Sequence, residues 1–224
     1  MNIISIIPAR GGSKGLPKKN IKQFLGEPLI VHSINYSLSS TRINTTYVTT
    51  DDPEIKKISK KAGATIINRP KSLSGDTATT ESAIEHALQN ITIEPDIVVL
   101  LQPTSPFRPE NSLDKAIEHF IFNNYDSLLS ITPTHNFIWN VSNDIAIPRY
   151  NFKNRPRRQD INNENMNYIE NGSLYIFKTN HFKNHNNRLG GRIGYVIFDE
   201  KFSKEIDSKL DFTILEEINK RFKI

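Results

Sequence analysis

The chain has 224 residues, of which 37% are hydrophobic, and a formal net charge of +5 at pH 7. This length allows one large α/β domain or two small ones, and the absence of cysteine excludes disulfides, thiolate zinc sites and cysteine nucleophiles. No apolar stretch reaches the roughly 20 residues of a membrane span, and the first residues lack the pattern of a signal peptide, so we expect a soluble, cytoplasmic protein without a membrane partner.

The positive charge is concentrated at residues 10–22, 56–61 and 149–158. These clusters do not fall on one predicted helix, as a basic nucleic-acid-binding face would. We therefore expect anionic small molecules, and no nucleic acid, as binding partners.

An apolar run at residues 3–7 predicts a buried first strand, and a loop with glycines follows it. The loop carries four cations within ten residues, namely Arg10, Lys14, Lys18 and Lys19. Charge alone would fit a solvated basic turn. The preceding strand favours a polyphosphate site instead, because glycines let backbone N–H groups approach an anion that the cations neutralise. The glycine spacing matches neither a Walker A motif nor a dinucleotide-binding fingerprint.

Predicted strands and helices alternate along the first 131 residues. Helices are predicted to begin at Pro28, at Pro53 and near Asn111, and another covers residues 83–88. Further strands are predicted at residues 46–50, 65–67, 97–101 and 128–131.

Strands that are apolar throughout and alternate with helices indicate a mostly parallel sheet covered on both faces. Ligands of such sheets bind beyond the carboxyl ends of the strands. The loop at residues 8–20, Asp51-Asp52 and the segment after Leu101 all leave strands at that edge. We therefore expect them to form one site.

The alternation stops between residues 132 and 170, a stretch rich in Asn, Pro and Arg. Strands at residues 173–177 and 195–198 and a closing amphipathic helix follow it. We predict a single domain over residues 1–224 with residues 132–170 as an inserted arm. The arm is either a solvated excursion or a subunit contact.

Several separated motifs share one order with a known family. The loop contains Arg10-Gly11-Gly12-Ser13-Lys14-Gly15 and Lys19-Asn20, and further blocks occupy residues 69–70, 76–78, 101–108, 157–160, 171–175 and 206–208. With these motifs the chain resembles the acylneuraminate cytidylyltransferases, or CMP-sialic acid synthetases, over essentially its whole length. The resemblance implies a three-layer α/β/α fold of the Rossmann-like nucleotidyltransferase type and a homodimer in which the arm crosses the interface.

The resemblance further implies transfer of CMP from CTP to the C2 hydroxyl of a nine-carbon 2-keto sugar acid, such as N-acetylneuraminate or a legionaminate-like sugar, with Mg²⁺ as cofactor. The catalytic positions of the family match Arg10, Lys19 and Asp207. Its nucleotide-binding positions match Arg10, Gly12, Ser13, Lys14, Lys19, Asn20, Arg69 and Thr80. Its sugar-binding positions match Gln102, Thr104, Ser105, Arg158, Asn171 and Tyr175.

The metal ligands implied by the resemblance are Asp207 and Glu205, which a strand would place on one face. The family usually has aspartate where Glu205 stands, so this residue is a departure. The segment at residues 159–170 is longer than in relatives, and Arg188-Leu189 stand where relatives often carry aromatics. Both of these differences concern the sugar side. Tyr175 can equally be a core tyrosine, and Arg69-Pro70 a simple turn.

Two alternatives remain open at this stage. One is activation of 3-deoxy-manno-octulosonate, whose enzymes usually carry Arg-Leu-Pro-Gly-Lys after the first arginine, unlike Gly15-Leu16-Pro17-Lys18-Lys19 here. The other is a non-catalytic module that binds a nucleotide or RNA.

Overall fold

The computed structural model describes residues 1–13, 15–161 and 166–223. Within them, the helices are α1 (Leu29–Leu38), α2 (Pro53–Lys61), α3 (Thr80–Gln89), α4 (Ser112–Phe122), α5 (Thr179–His185) and α6 (Lys209–Phe222). The strands are β1 (Ile3–Pro8), β2 (Gln23–Phe24), β3 (Glu27–Pro28), β4 (Thr45–Thr50), β5 (Thr65–Asn68), β6 (Ile97–Leu101), β7 (Ser127–Thr134), β8 (Trp139–Ser142), β9 (Ile145–Pro148), β10 (Asn167–Lys178) and β11 (Ile193–Ile197).

Seven strands form the central sheet in the order β11-β7-β10-β6-β1-β4-β5. All neighbouring pairs are parallel except those that β10 makes with β6 and β7. The predicted mostly parallel sheet is therefore confirmed, with one antiparallel strand in its middle.

Alternate residues of the sheet enter two separate cores, which explains the unbroken apolar runs. Ile3 and Ile7 of β1 pack on the side of α1, α2 and α4, whereas Ile4 and Ile6 pack on the side of α3 and α5. The helices on both faces complete the predicted three layers. A third apolar cluster packs α6 against residues 16–29 and Ile206, which brings the last part of the chain to the first loop.

The predicted starts of α1, α2 and α4 agree with the structure to within one residue. Asp52 caps α2, because its side chain accepts hydrogen bonds from the backbone of Glu54 and Ile55. The predictions near the arm were too short, since β7 and β10 extend well beyond residues 128–131 and 173–177. Both strands gain their extra length by pairing with each other from Asn167 to Glu170.

The strand predicted around Glu205 and Asp207 is wrong, because residues 203–207 form no strand. The segment is instead anchored by the Ile206 amide, which donates to the Thr104 carbonyl at 2.8 Å. Ile206 is fully buried, so Glu205 and Asp207 still lie on the other side of the segment.

The arm between β7 and β10 contains a two-stranded hairpin of β8 and β9. Its turn residues Asn143 and Asp144 both have positive φ, 50° and 61°, as a tight hairpin turn requires. The apolar side chains of this ribbon are exposed, namely Trp139, Val141, Ile145 and Ile147. Across the described ranges, no helix combines the length and the apolar content that a membrane crossing demands.

Candidate active site

A cleft of about 450 Å³ opens at the carboxyl ends of β1 and β6. Its walls come from the loop after β1, the start of α3, the segment after β6 and the approach to α6. The lining residues are Pro8, Arg10, Ser13, Gly15, Lys19, Asn20, Arg69, Ala78, Thr79, Thr80, Gln102, Pro103, Thr104 and Asp207. A cavity of similar size, about 470 Å³, lies near Asp96 and Lys178 at the opposite edge of the sheet and contains none of the predicted residues.

The loop after β1 packs against two aspartates that follow β4. The Gly11 amide donates to Asp51 Oδ1 at 3.1 Å. A Cβ on Gly11 would lie 2.6 Å from Asp52 Oδ2, so a larger residue would push the loop away from α2. Asn20 closes the other side of the loop by donating to the Arg10 carbonyl at 3.0 Å. A Cβ on Gly12 would meet no described atom within 4 Å, so the space beside this residue is open.

Two cations project into this cleft and are held by partners distant in sequence. Arg10 donates to the Gly75 carbonyl at 2.6 Å and lies 3.3 Å from the Asp76 carboxylate. Lys19 Nζ donates to the Ile206 carbonyl and to Asp207 Oδ1, both at 2.8 Å, and its side chain is only 13% exposed. The loop thus presents two ordered cations to one volume. The predicted phosphate ligand Lys14 lies outside the described residues.

Arg69 is the most unusual residue of the cleft wall. It is 8% exposed, and its Nε and Nη2 atoms are buried without a hydrogen-bond partner in the described part of the chain. Burial lowers the pKa of Arg69, and nearby Arg10 lowers it further, while Asp51 opposes both effects. Buried guanidinium donors without a hydrogen-bond partner lower the stability of the fold, unless a ligand accepts from them. Arg69 thus lies in the wall of the cleft, where a ligand could accept from its guanidinium.

The remaining predicted nucleotide residues also lie on this wall. Asn20 is buried, and Ser13 lies at the cleft. Thr80 is the first residue of α3, next to Thr79, whose hydroxyl caps the helix by accepting from Ser82. The N-terminus of α3, whose first amides lack partners within the helix, thus lies at the cleft.

Of the predicted sugar residues, the structure brings Gln102 and Thr104 to the cleft. Ser105 lies behind them, 1% exposed. Arg158 is exposed on the arm and does not line the cleft.

Asn171 and Tyr175 lie on β10 and are both 2% exposed. The Asn171 amide accepts from Ser130 at 2.5 Å and donates to Thr132 at 3.0 Å, so its hydrogen bonds tie β10 to β7. Tyr175 packs in the core beside α3, as the alternative interpretation proposed, yet its hydroxyl donates to Glu170 at the end of the sheet. Burial raises the pKa of Tyr175, and the bond to Glu170 raises it further.

The two predicted metal ligands have different surroundings. The Asp207 side chain is 72% exposed and lines the cleft. Glu205 is partly buried and accepts from Thr104 at 3.4 Å, and it lies directly against Gly172, which has a φ of 65°. Burial raises the pKa of Glu205, and the neighbouring Asp207 raises it further.

Two carboxylates beside a cleft lined by cations fit Mg²⁺, which commonly takes one or two carboxylates and completes its shell with phosphate oxygens and water. Within the described residues, no group of three or more acidic or histidine side chains is placed to hold a metal by itself.

Sequence reasoning missed Arg108, which positions the wall of the cleft. Its buried guanidinium donates to the Gln102 carbonyl at 2.8 Å, the Ser173 carbonyl at 3.1 Å and Ser33 Oγ at 3.0 Å. Burial lowers the pKa of Arg108 to about 10. Arg108 is the last residue of the motif block at residues 101–108, which could have drawn attention to it. Nothing in that block, however, predicts that its cation is buried.

Comparison with known proteins places the chain in a family. A family model described as Cytidylyltransferase matches residues 4–218. The chain is 34% identical to N-acylneuraminate cytidylyltransferase A of Danio rerio over 99% of its own length and 51% of the relative. It is 31% identical to the Escherichia coli N-acylneuraminate cytidylyltransferase over 95% of its own length and 51% of the relative. The chain therefore spans about half the length of these curated relatives.

A relative of similar length is the post-translational flagellin modification protein B of Campylobacter coli, 31% identical over 96% of this chain and 93% of the relative. Among solved structures, CMP:2-keto-3-deoxy-manno-octonic acid synthetase complexed with CTP has a TM-score of 0.74 over 99% of this chain and all of that chain. Its sequence identity is 14%, so this likeness establishes the fold only. The resemblance inferred from the motifs is confirmed: the chain belongs to the cytidylyltransferase family.

Proposed function

We propose that this protein transfers CMP from CTP to the C2 hydroxyl of a nine-carbon 2-keto sugar acid and releases pyrophosphate. One observation carries the proposal: Arg10, Lys19 and Arg69 line the same cleft, and Arg69 has buried donors without a partner in the described part of the chain. Polyphosphate neutralisation and polar nucleoside recognition are thus combined in one site. The names of the relatives, N-acylneuraminate cytidylyltransferase above all, support the choice of nucleotide and acceptor.

In the proposed reaction, the hydroxyl oxygen of the acceptor attacks the α-phosphorus of CTP. The bond from that phosphorus to the oxygen bridging the β-phosphate breaks, pyrophosphate leaves and the hydroxyl proton is released. Such a transfer depends chiefly on charge neutralisation and positioning. A cation about 3–4 Å from a phosphate oxygen contributes a few kcal/mol at intermediate dielectric, which is the role we assign to Arg10 and Lys19. Their protein partners hold both side chains in the cleft before the nucleotide arrives.

Recognition of the nucleoside falls to the wall formed by Asn20, Arg69 and Thr80. Cytosine differs from uracil by an amino donor in place of a carbonyl acceptor. Buried groups that match one pattern are left unpaired by the other, and this is how such sites discriminate. Gln102 and Thr104, across the cleft, then face the sugar acid.

We assign Asp207 as the main Mg²⁺ ligand and Glu205 as the second carboxylate of the site. When bound, the cation would supply charge neutralisation at the phosphates. The proposal is supported by the exposed carboxylate of Asp207 beside Lys19 and by the affinity of hard cations for oxygen ligands.

We further propose a homodimer formed through the arm. The hairpin of β8 and β9 exposes Trp139, Val141, Ile145 and Ile147, and the neighbouring edge strand β11 exposes Ile193, Tyr195 and Ile197. Exposed apolar side chains concentrated in this way typically mark an interaction site. The lack of cysteine and the proposed use of CTP support a cytoplasmic location.

Activation of an octulosonate remains the second candidate, since the fold is shared with an enzyme named for that sugar. The curated relatives at 31–34% identity favour the nine-carbon acids, and a pseudaminic acid cytidylyltransferase of Campylobacter jejuni is 39% identical over 59% of this chain.

The test is pyrophosphate release from CTP with Mg²⁺ and a panel of acceptors: N-acetylneuraminate, a legionaminate-type diacylamino acid and 3-deoxy-manno-octulosonate. We expect release with a nine-carbon acid and CTP, and little with UTP or octulosonate. Preference for octulosonate would establish the second candidate. Nucleotide binding without release for any acceptor would indicate the non-catalytic alternative.

A further inference from the structure

Arg108 is a buried cation that bonds to neutral oxygens, namely the Gln102 carbonyl, the Ser173 carbonyl and Ser33 Oγ. Its guanidinium also lies 5.1 Å from the Tyr36 ring. No carboxylate of the described residues forms an ion pair with it, and its buried Nε atom has no hydrogen-bond partner among them. Burial of a charge in such surroundings is unfavourable. Packing alone therefore does not account for an arginine at this position.

The three bonds of Arg108 join three separate elements at the carboxyl end of β6. Ser33 lies on α1, Ser173 lies on β10, and Gln102 directly follows β6. The Gln102 carbonyl also accepts from the Ser105 amide at 3.2 Å, which closes a turn over residues 102–105 that we call the Gln102 turn. The guanidinium thus holds the oxygen that closes this turn. A planar fork can serve several acceptors at once, whereas an ammonium is a single point charge.

The Gln102 turn connects the wall of the cleft to the segment before α6. Gln102, Pro103 and Thr104 line the cleft. The Thr104 carbonyl accepts from the amide of Ile206, whose side chain is fully buried. This bond, 2.8 Å long, is the anchor that brings the next residue, Asp207, to the cleft.

Lys19 depends on the same segment for its position. Its Nζ donates to the Ile206 carbonyl and to Asp207 Oδ1, both at 2.8 Å. A Cβ on Gly15 would lie 2.5 Å from the Asp207 carbonyl oxygen, so the first loop packs directly against this segment. A displacement of the Gln102 turn would therefore move both partners of the Lys19 ammonium.

We propose that Arg108 is a positioning residue of the reaction: it fixes the Gln102 turn, and the turn fixes Asp207 and the Lys19 ammonium in the cleft. The inference rests on the proposed function for what Lys19 and Asp207 do in turnover. The structural part of the inference, that Arg108 holds the segment at Ile206, can be measured without any substrate.

The experiment replaces the fork by a point charge in Arg108→Lys and follows two quantities. The first is hydrogen exchange of the Ile206 amide by NMR, relative to the amides of β6, which report global unfolding. We expect the relative protection of Ile206 to fall at least about tenfold, as for a weakened hydrogen bond. The second is kcat for pyrophosphate release, which should fall about tenfold or more because the reacting groups lose their alignment.

Tyr36→Phe is the matched control for a purely structural effect. It removes a hydroxyl that bonds to Ser112 Oγ at 2.6 Å and keeps the ring beside Arg108. We expect it to lower the free energy of unfolding while the relative protection of Ile206 and kcat stay within about twofold of wild type. Ser33→Ala takes away the α1 partner of the guanidinium and should lower both quantities by about threefold, which covers a failure of Arg108→Lys to fold.

Two results would overturn the inference. One is an unchanged ratio of Ile206 to β6 protection in both Arg108→Lys and Ser33→Ala, and the other is lowered protection with a normal kcat. Wild-type protein that releases no pyrophosphate with any acceptor would overturn the proposed function instead, and the exchange measurement would still decide whether Arg108 holds the segment.

Discussion

The two halves of the sheet differ in how completely the chain covers them. Around β5, β4, β1 and β6, helices bury both faces, and the apolar strand residues are nearly inaccessible. At the opposite edge of the sheet, alternate apolar residues of β11 remain exposed, namely Ile193, Tyr195 and Ile197 at 49–54%. The covered half holds the cations of the cleft, and the open half leads into the arm.

The difference indicates a division of roles between the halves. A rigid, fully packed half suits the positioning of a triphosphate, because small displacements of the reacting groups strongly reduce the reaction rate. The open half holds the surface that we assign to a second subunit. Changes in the covered half should therefore affect chemistry most, and changes in the open half should affect assembly.

The largest effect is expected at Lys19, in the covered half. Lys19→Ala removes a nearly buried ammonium that faces the cleft, so kcat for pyrophosphate release should fall at least about 100-fold. Circular dichroism should show an intact fold. Lys22→Ala is the control, because Lys22 is exposed, and near-normal turnover of Lys19→Ala would contradict the phosphate role.

The next prediction concerns Asp207, whose carboxylate bonds to Lys19 and so links the first loop to the segment before α6. Asp207→Asn should lower the rate about tenfold or more and raise the Mg²⁺ concentration that gives half-maximal rate, because a hard cation loses a charged ligand. Calorimetry of CTP binding with and without Mg²⁺ provides a readout independent of turnover. Asp199→Asn removes an exposed carboxylate outside the cleft and serves as the control. An unchanged Mg²⁺ titration would eliminate the proposed site.

The arm provides the sharpest test of the open half. Val141→Asp places a charge on the exposed apolar face of the hairpin, where Val141 is 76% exposed. Burial of that charge in a subunit interface would be unfavourable, so sedimentation should shift from dimer to monomer. Phe122→Asp changes another highly exposed apolar residue, on α4, and should leave the assembly unchanged. A monomeric wild-type protein, or a dimeric Val141→Asp variant, would refute the arm-mediated dimer.

The smallest effect concerns the contact between β10 and Glu205. Gly172→Ala forces a side chain into a positive-φ position and against the Glu205 carboxylate. We expect the free energy of unfolding to fall by about 1–3 kcal/mol in urea denaturation. Gly75→Ala, whose new Cβ would meet no described atom within 4 Å, should change it little. Equal stability of the two variants would contradict both the strain at this positive φ and the close contact with Glu205.

The local sequence determined the parts of this protein that depend on neighbours along the chain. The apolar runs determined the covered strands, because both faces of a buried parallel strand need apolar side chains. Pro53 and Asp52 determined the start of α2 through a fixed φ and a capping carboxylate. The glycines and cations of the first loop likewise indicated an anion site, because both lie within a few residues of each other.

Only the tertiary structure decided which distant residues meet. Lys19 reaches Asp207 across 188 positions, and Arg188 reaches Glu81 across 107. The sequence also left open that Asn171 turns into the protein, that β10 enters the sheet antiparallel and that residues 203–207 form no strand. Local patterns encode which face of a segment is apolar, whereas the partners of a polar side chain depend on how whole elements pack, and no short window contains that information.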